Sequence, residues 1–127
     1  MRRDFDLGPD DARALDALEY RWETVRSGGA MWVVIHDFPI PVGFNVGSAK
    51  VAIRVDTYPP GPIDMAYFSP PLARADGQRV NNLSAFTIEG EEYQQWSRHY
   101  AWNSARDTLG THVRRVRGWL KHELRKR

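Results

Sequence analysis

Ser97 and His99 stand two residues apart in the run Gln94-Gln95-Trp96-Ser97-Arg98-His99-Tyr100. If this run is extended, both side chains leave the same side of the backbone. A histidine beside a hydroxyl can take its proton, so the pair could form an oxyester, or the imidazole could itself carry an acyl group. Triad logic then asks for an orienting acid, and Glu91, Glu92 and Asp107 are the candidates. The spacing itself is unspecific. The competing reading has Ser97 capping a turn and His99 making a structural hydrogen bond, and it is the preferred one.

Other chemistry is thinner. Tyr93, Trp96, Tyr100 and Trp102 form an aromatic cluster that reads equally as a binding platform or as a satellite core, with Trp102 inside and Tyr93 outside. His36, His112 and His122 lack the i, i+4 spacing of paired metal ligands, so no metal and no cofactor is expected. Asp10-Asp11 and Glu91-Glu92 are adjacent carboxylates that face apart, which suits solvated faces better than acid–base pairs. The chain has no cysteine, which removes disulfides, thiolate metal sites and thioester chemistry together.

At 127 residues the chain is one domain, 1–127, large enough to bury a core without staples. A formal charge of +2 is too small to argue for nucleic acid from the total alone. Arg114, Arg115, Arg117, Lys121, Arg125, Lys126 and Arg127 load one C-terminal helix, and compensation of its dipole explains them without a ligand. Nucleic acid is therefore disfavoured as a partner. There is no apolar run long enough to span a membrane and no apolar stretch of a signal peptide, so a cytoplasmic protein is the expectation.

These residues need elements to hold them. Gly8-Pro9-Asp10-Asp11 opens a helix, and Leu15, Leu18, Trp22 and Val25 recur at three and four as its apolar stripe until Ser27-Gly28-Gly29 ends it. Met31 to Phe38 and Lys50 to Asp56 read as strands. In Tyr58 to Leu72, prolines at 59, 60, 62, 70 and 71 bracket a short strand, Ile63 to Ser69; each ring fixes φ at about −65° and removes a donor. Ala73 to Gly90 is the least regular stretch, with Phe86-Thr87-Ile88 a possible short strand. A last helix carries Leu109, Val113, Val116, Leu120 and Leu124 and is capped from Asn103 or Ser104. The order predicts an α+β domain: an N-terminal helix, a short antiparallel meander, an irregular active-site-like segment and a C-terminal helix.

The proline segment resembles the Tyr-Pro-x-x-Pro string of the ubiquitin-conjugating enzymes. Tyr58, Pro59 and Pro62 fit, Ile63 replaces a proline, Tyr67 takes the aromatic place, and Trp102 sits where that family carries a tryptophan before its next helix. The similarity covers roughly Ala30 to Leu120. Phe68 to Gly77 and Trp96 to Tyr100 look closer to one bacterial branch, the prokaryotic family E of ubiquitin-conjugating-like proteins, which occurs beside ubiquitin-like proteins and activating enzymes. Two departures matter: the family's His-Pro-Asn motif is missing, and its catalytic cysteine, counted back from Trp102, would fall between Gln94 and Ser97.

The resemblance implies a conjugating-like subunit that has lost its thiol and binds a ubiquitin-like protein, its activating enzyme, or both. In that family the first helix meets the activating enzyme, and Arg13, Arg21 and Arg26 are the basic residues expected on it here. Tyr58, Pro59, Pro62 and Tyr67 would be structural, and Ser97 to Trp102 would line the old groove. Acyl transfer at Ser97 and His99 and a nucleic-acid module on the basic helix are the alternatives.

Overall fold

The computed structural model describes residues 1–126. Its elements are α1 (Pro9–Ala17), β1 (Arg21–Ser27), β2 (Ala30–Pro39), β3 (Ser48–Arg54), β4 (Ala66–Ser69), β5 (Leu83–Ile88), β6 (Glu91–Trp96) and α2 (Leu109–Arg125). The six strands form one antiparallel sheet in the order β1-β2-β3-β4-β6-β5. This is the α+β arrangement the sequence order implies, with a sheet larger than expected.

The start of the chain needs correction. Leu15, Leu18, Trp22 and Val25 do not share a helix. α1 stops at Ala17, Glu19 takes a φ of 62°, and the chain enters β1 at Arg21. Gly28 and Gly29, at φ 59° and 77°, close the β1–β2 hairpin, because a tight two-residue turn of this hand needs positive φ at both positions. A spacing of three in a strand switches faces, so Trp22 joins the core under the helices and Val25 the core on the other face. Arg21 and Arg26 accordingly lie on β1, away from Arg13.

The stretch expected to be irregular is also corrected. Leu83 to Trp96 is a regular hairpin, β5–β6, turned at Glu89-Gly90 and joined to β4 through β6.

α2 is capped by Thr108. Its hydroxyl accepts from the Thr111 N–H at 3.3 Å, while Thr111 Oγ1 accepts from the Thr108 N–H at 2.8 Å. The Asn103 cap fails because that residue is used in a preceding turn, bonded to Asp107 and Ala105. At the other end Arg74, buried, donates to the carbonyls of Glu123 at 2.6 Å and Lys126 at 2.9 Å, satisfying groups the helix leaves free.

The helices cover one sheet face. Val33, Ile35, Val51, Ile53, Phe68 and Trp96 meet Leu15, Leu109, Val113, Val116 and Leu120 there. Tyr58 locks this layer. Its hydroxyl donates to Asp11 on α1 and accepts the Leu109 N–H of α2, each at 3.0 Å, and burial pushes its pKa up to about 12. The second face buries Val25, Trp32, Val34, Ala52, Tyr67, Ile88 and Tyr93, and no helix residue among those described belongs to this cluster.

Candidate functional site

The residues singled out from the sequence gather where β4 begins and β6 ends. Beyond the ends of these strands the chains stay together with the register shifted by one residue: the Met65 N–H donates to Arg98 O at 3.2 Å. Met65 holds a φ of 61°, a strained value for a side-chain-bearing residue. Its carbonyl accepts from His112 Nε2 at 2.8 Å. This continuation brings Asp64 to His99, whose Nδ1 lies 3.0 Å from Asp64 Oδ2, with both side chains exposed. Asp64 is the acid that sequence reasoning missed. It lies 35 positions from His99, and only the strand pairing joins them.

The acids expected to orient His99 are elsewhere. Glu91 binds Lys50 and accepts the Ser69 hydroxyl at 2.6 Å. Asp107 pairs with Arg115 at 2.8 Å, and its carboxyl is held below the usual carboxylate range first by the Asn103 N–H and then by Arg115. Glu92 is solvent-exposed on β6. Ser97 and His99 share no hydrogen bond among the described residues: the Ser97 hydroxyl accepts from Gln95 Nε2 at 3.3 Å and its N–H donates to Asn82 O at 3.1 Å.

The aromatic cluster divides. Trp96 is fully buried against the helices, and its Nε1–H donates to Gln94 Oε1 at 2.8 Å. Tyr93 is buried on the opposite face, where burial raises its pKa to about 12. Trp102 is only half-buried, so the expected inside and outside are reversed for these two. The reason is strand parity: Tyr93 lies on β6 inside the sheet, whereas Trp102 lies in the loop before α2.

Tyr100 and Trp102 do share a surface, with ring centroids 6.0 Å apart. Tyr100 also stacks on His112, lies beside Trp119 and carries the Arg115 guanidinium 3.9 Å above its ring. Since His112 Nε2 donates to Met65 O, its Nδ1 must accept, and the Tyr100 hydroxyl donates to it at 2.9 Å. Burial depresses the His112 pKa to about 4, so the ring is neutral near pH 7. Two buried donors in this shelf, Trp102 Nε1 and Arg115 Nη1, have no acceptor among the described residues.

Of the stretch Gln94 to Ser97, where the resemblance would put a thiol nucleophile, the first three residues are structurally committed. Gln94 makes two 3.0 Å bonds to the backbone of Leu72, pinning the proline exit, and Gln95 and Trp96 continue the ladder with β4. Among the described residues no group of three or more His, Asp or Glu is arranged to hold a metal ion, and no helix is long and apolar enough to cross a membrane.

The sequence model of prokaryotic E2 family E matches residues 7–123. The chain belongs to this family. No curated protein and no solved structure matches it. Membership of prokaryotic E2 family E gives the chain a role related to ubiquitin conjugation in general. Without a cysteine this family E chain cannot form the thioester on which ubiquitin transfer ordinarily runs.

Proposed function

We propose that this family E chain is an atypical, pseudo-conjugating subunit of a bacterial ubiquitin-like pathway. It binds a ubiquitin-like protein, its activating enzyme, or both, and positions the modifier's tail without carrying it. The observation that carries this reading is the fate of the nucleophile's place: a paired strand ending in a fully buried tryptophan, in a chain with no thiol. The shelf beside it supports binding. Tyr100, Trp102 and Trp119, each half-buried, offer aromatic surface.

One observation favours a second reading. Asp64 orients His99 through Nδ1 and leaves Nε2 available in an exposed imidazole. That nitrogen could attack an acyl-adenylate, expelling AMP and forming an acyl-imidazole that a substrate amine then resolves.

Incubation with an activating enzyme, its ubiquitin-like protein and ATP, followed by intact-mass measurement and calorimetric titration, separates the two. Binding with unchanged mass is the expected result, weakened about tenfold by Trp102→Ala. A modifier-sized adduct that His99→Ala abolishes would establish the second reading instead. Neither adduct nor binding would defeat both.

A further inference from the structure

The two edges of the sheet are treated differently. β1 is covered along its outer side by the chain's first residues. Thr24 N–H donates to Arg2 O at 3.1 Å, Asp4 N–H donates to Thr24 O at 3.0 Å, Arg26 N–H donates to the Asp4 carboxylate at 2.9 Å, and the Arg3 guanidinium caps Trp22 O. Among the described residues β5, the other edge, has no such cover.

Which groups of β5 are free follows from its turn. Glu89 and Gly90, at φ 52° and 76°, close a two-residue hairpin, so Ile88 and Glu91 are a hydrogen-bonded pair. Alternation makes Phe86–Tyr93 and Ser84–Gln95 the next such pairs, and the Ser97 N–H to Asn82 O bond at 3.1 Å keeps the phase. The N–H and C=O of Ala85 and Thr87 therefore point away from β6, and among the described residues nothing bonds to them. Leu83 to Ile88 contains no charge and no proline, the two devices that usually blunt an exposed edge.

A cavity lies on each side of this edge. One, of about 190 Å³, is lined by Pro71, Leu83, Ala85, Glu92 and Gln94 on the helix-bearing face. The other, of about 180 Å³, is lined by Gly28, Ala30, Trp32, Phe86 and Ile88 on the opposite face, with Arg54 as its one charged member. An added strand sends alternate side chains to opposite faces, so it would supply one set to each cavity. The β1–β2 turn at Gly28 borders the second cavity, and Arg2 reaches Glu89 just beyond Ile88. These flanking groups crowd the continuing sheet of a second copy more than a single added strand. Glu92, with no ionic partner among the described residues, faces the first cavity.

We propose that β5 is a docking edge for an extended segment of a partner protein, apolar on one face and polar or basic on the other, that adds to the sheet as a seventh strand. Its backbone pairs with Ala85 and Thr87, its apolar side chains enter the cavity floored by Trp32, Phe86 and Ile88, and its basic side chains meet Glu92. This surface is independent of the shelf at Tyr100 and Trp102 and of the conjugation reading.

The test uses the full chain and a displayed library of proline-free octapeptides. Enriched sequences alternate apolar with polar or basic residues. A synthetic peptide of the most enriched sequence loses at least tenfold in affinity, by fluorescence anisotropy, with Thr87→Pro and with Glu92→Lys. Thr87→Pro removes only an outward N–H, which an edge strand tolerates, and Glu92→Lys alters an exposed side chain, so a folding failure in one leaves the other decisive. Amide exchange at Ala85 and Thr87 is fast in the free chain and slows on binding. No enrichment, or undiminished binding by either folded variant, overturns the proposal. Protection of Ala85 and Thr87 that grows with protein concentration in the absence of peptide also overturns it, because a second copy then occupies the edge.

Discussion

His112 couples the candidate site to stability. It is fully buried, and both ring nitrogens are committed, one donating to Met65 O and the other accepting from Tyr100. A proton on Nδ1 would have to turn the Tyr100 hydroxyl away and place a charge near Arg115, with the nearby Asp64 and Asp107 to offset it in part. Its pKa is about 4 in the fold, below the ordinary 6.5, so the unfolded chain binds more protons between these values. Stability from this group is complete above pH 6.5 and is lost as pH falls toward 4. The expected loss between pH 7.5 and pH 5 is about 2 kcal/mol. The carboxylates held low, among them Glu91 and Asp107, lose their contributions only at lower pH, below their ordinary range. Urea denaturation at the two pH values measures the effect. His112→Gln is expected to be less stable at pH 7.5 yet to lose about 2 kcal/mol less than the parent on acidification; equal losses would show that His112 is not the titrating group.

Helix α2 carries a simpler prediction. Gly118 sits in its interior, and a Cβ there would meet nothing within 4 Å, so Gly118→Ala should gain about 1 kcal/mol and raise Tm by about 3–5 °C in a thermal scan. Gly110 differs, because its Cβ would lie 3.3 Å from Ala14 Cβ on α1, where the two helices touch. Elements with one strong signal were legible in the sequence: the β-branched run of β2, the alternation of β3, the stripe of α2 and the proline brackets of β4. The failures share one cause. Leu15, Leu18, Trp22 and Val25 satisfy a helical period, but the Gly28-Gly29 pair was the competing hairpin signal, and a hairpin gives the stretch before it a period of two. Glu89-Gly90 was the same signal for β5–β6. The family motif picked out Tyr58 and Trp102 because both are local landmarks. Asp64 escaped because its meeting with His99 depends on how β4 pairs with β6, which no local spacing encodes.

At the scale of the whole molecule, the sheet has to bury two faces with helices on only one. The second face is closed by curvature. The ends of the sheet bend toward each other until Val25 of β1 and Ile88 of β5 join one cluster and Arg2 reaches Glu89. Sheet twist makes such curling natural, and six strands are enough to begin enclosing their own concave side. Trp32 is the centre of this inner core: 2% exposed, 5.0 Å from Tyr67 in an edge-to-face contact and 5.7 Å from Phe86. A flat sheet with a bare second face would leave this tryptophan as an exposed patch whose removal costs little. A curled sheet makes it a core residue, and Trp32→Ala should then cost about 3–5 kcal/mol, comparable to Trp96→Ala under the helices. Chemical denaturation of both variants decides the matter. A cost below about 1 kcal/mol for Trp32→Ala would mean that the concave side is not closed, and the cavity assigned to the apolar side chains of a seventh strand would lose its floor.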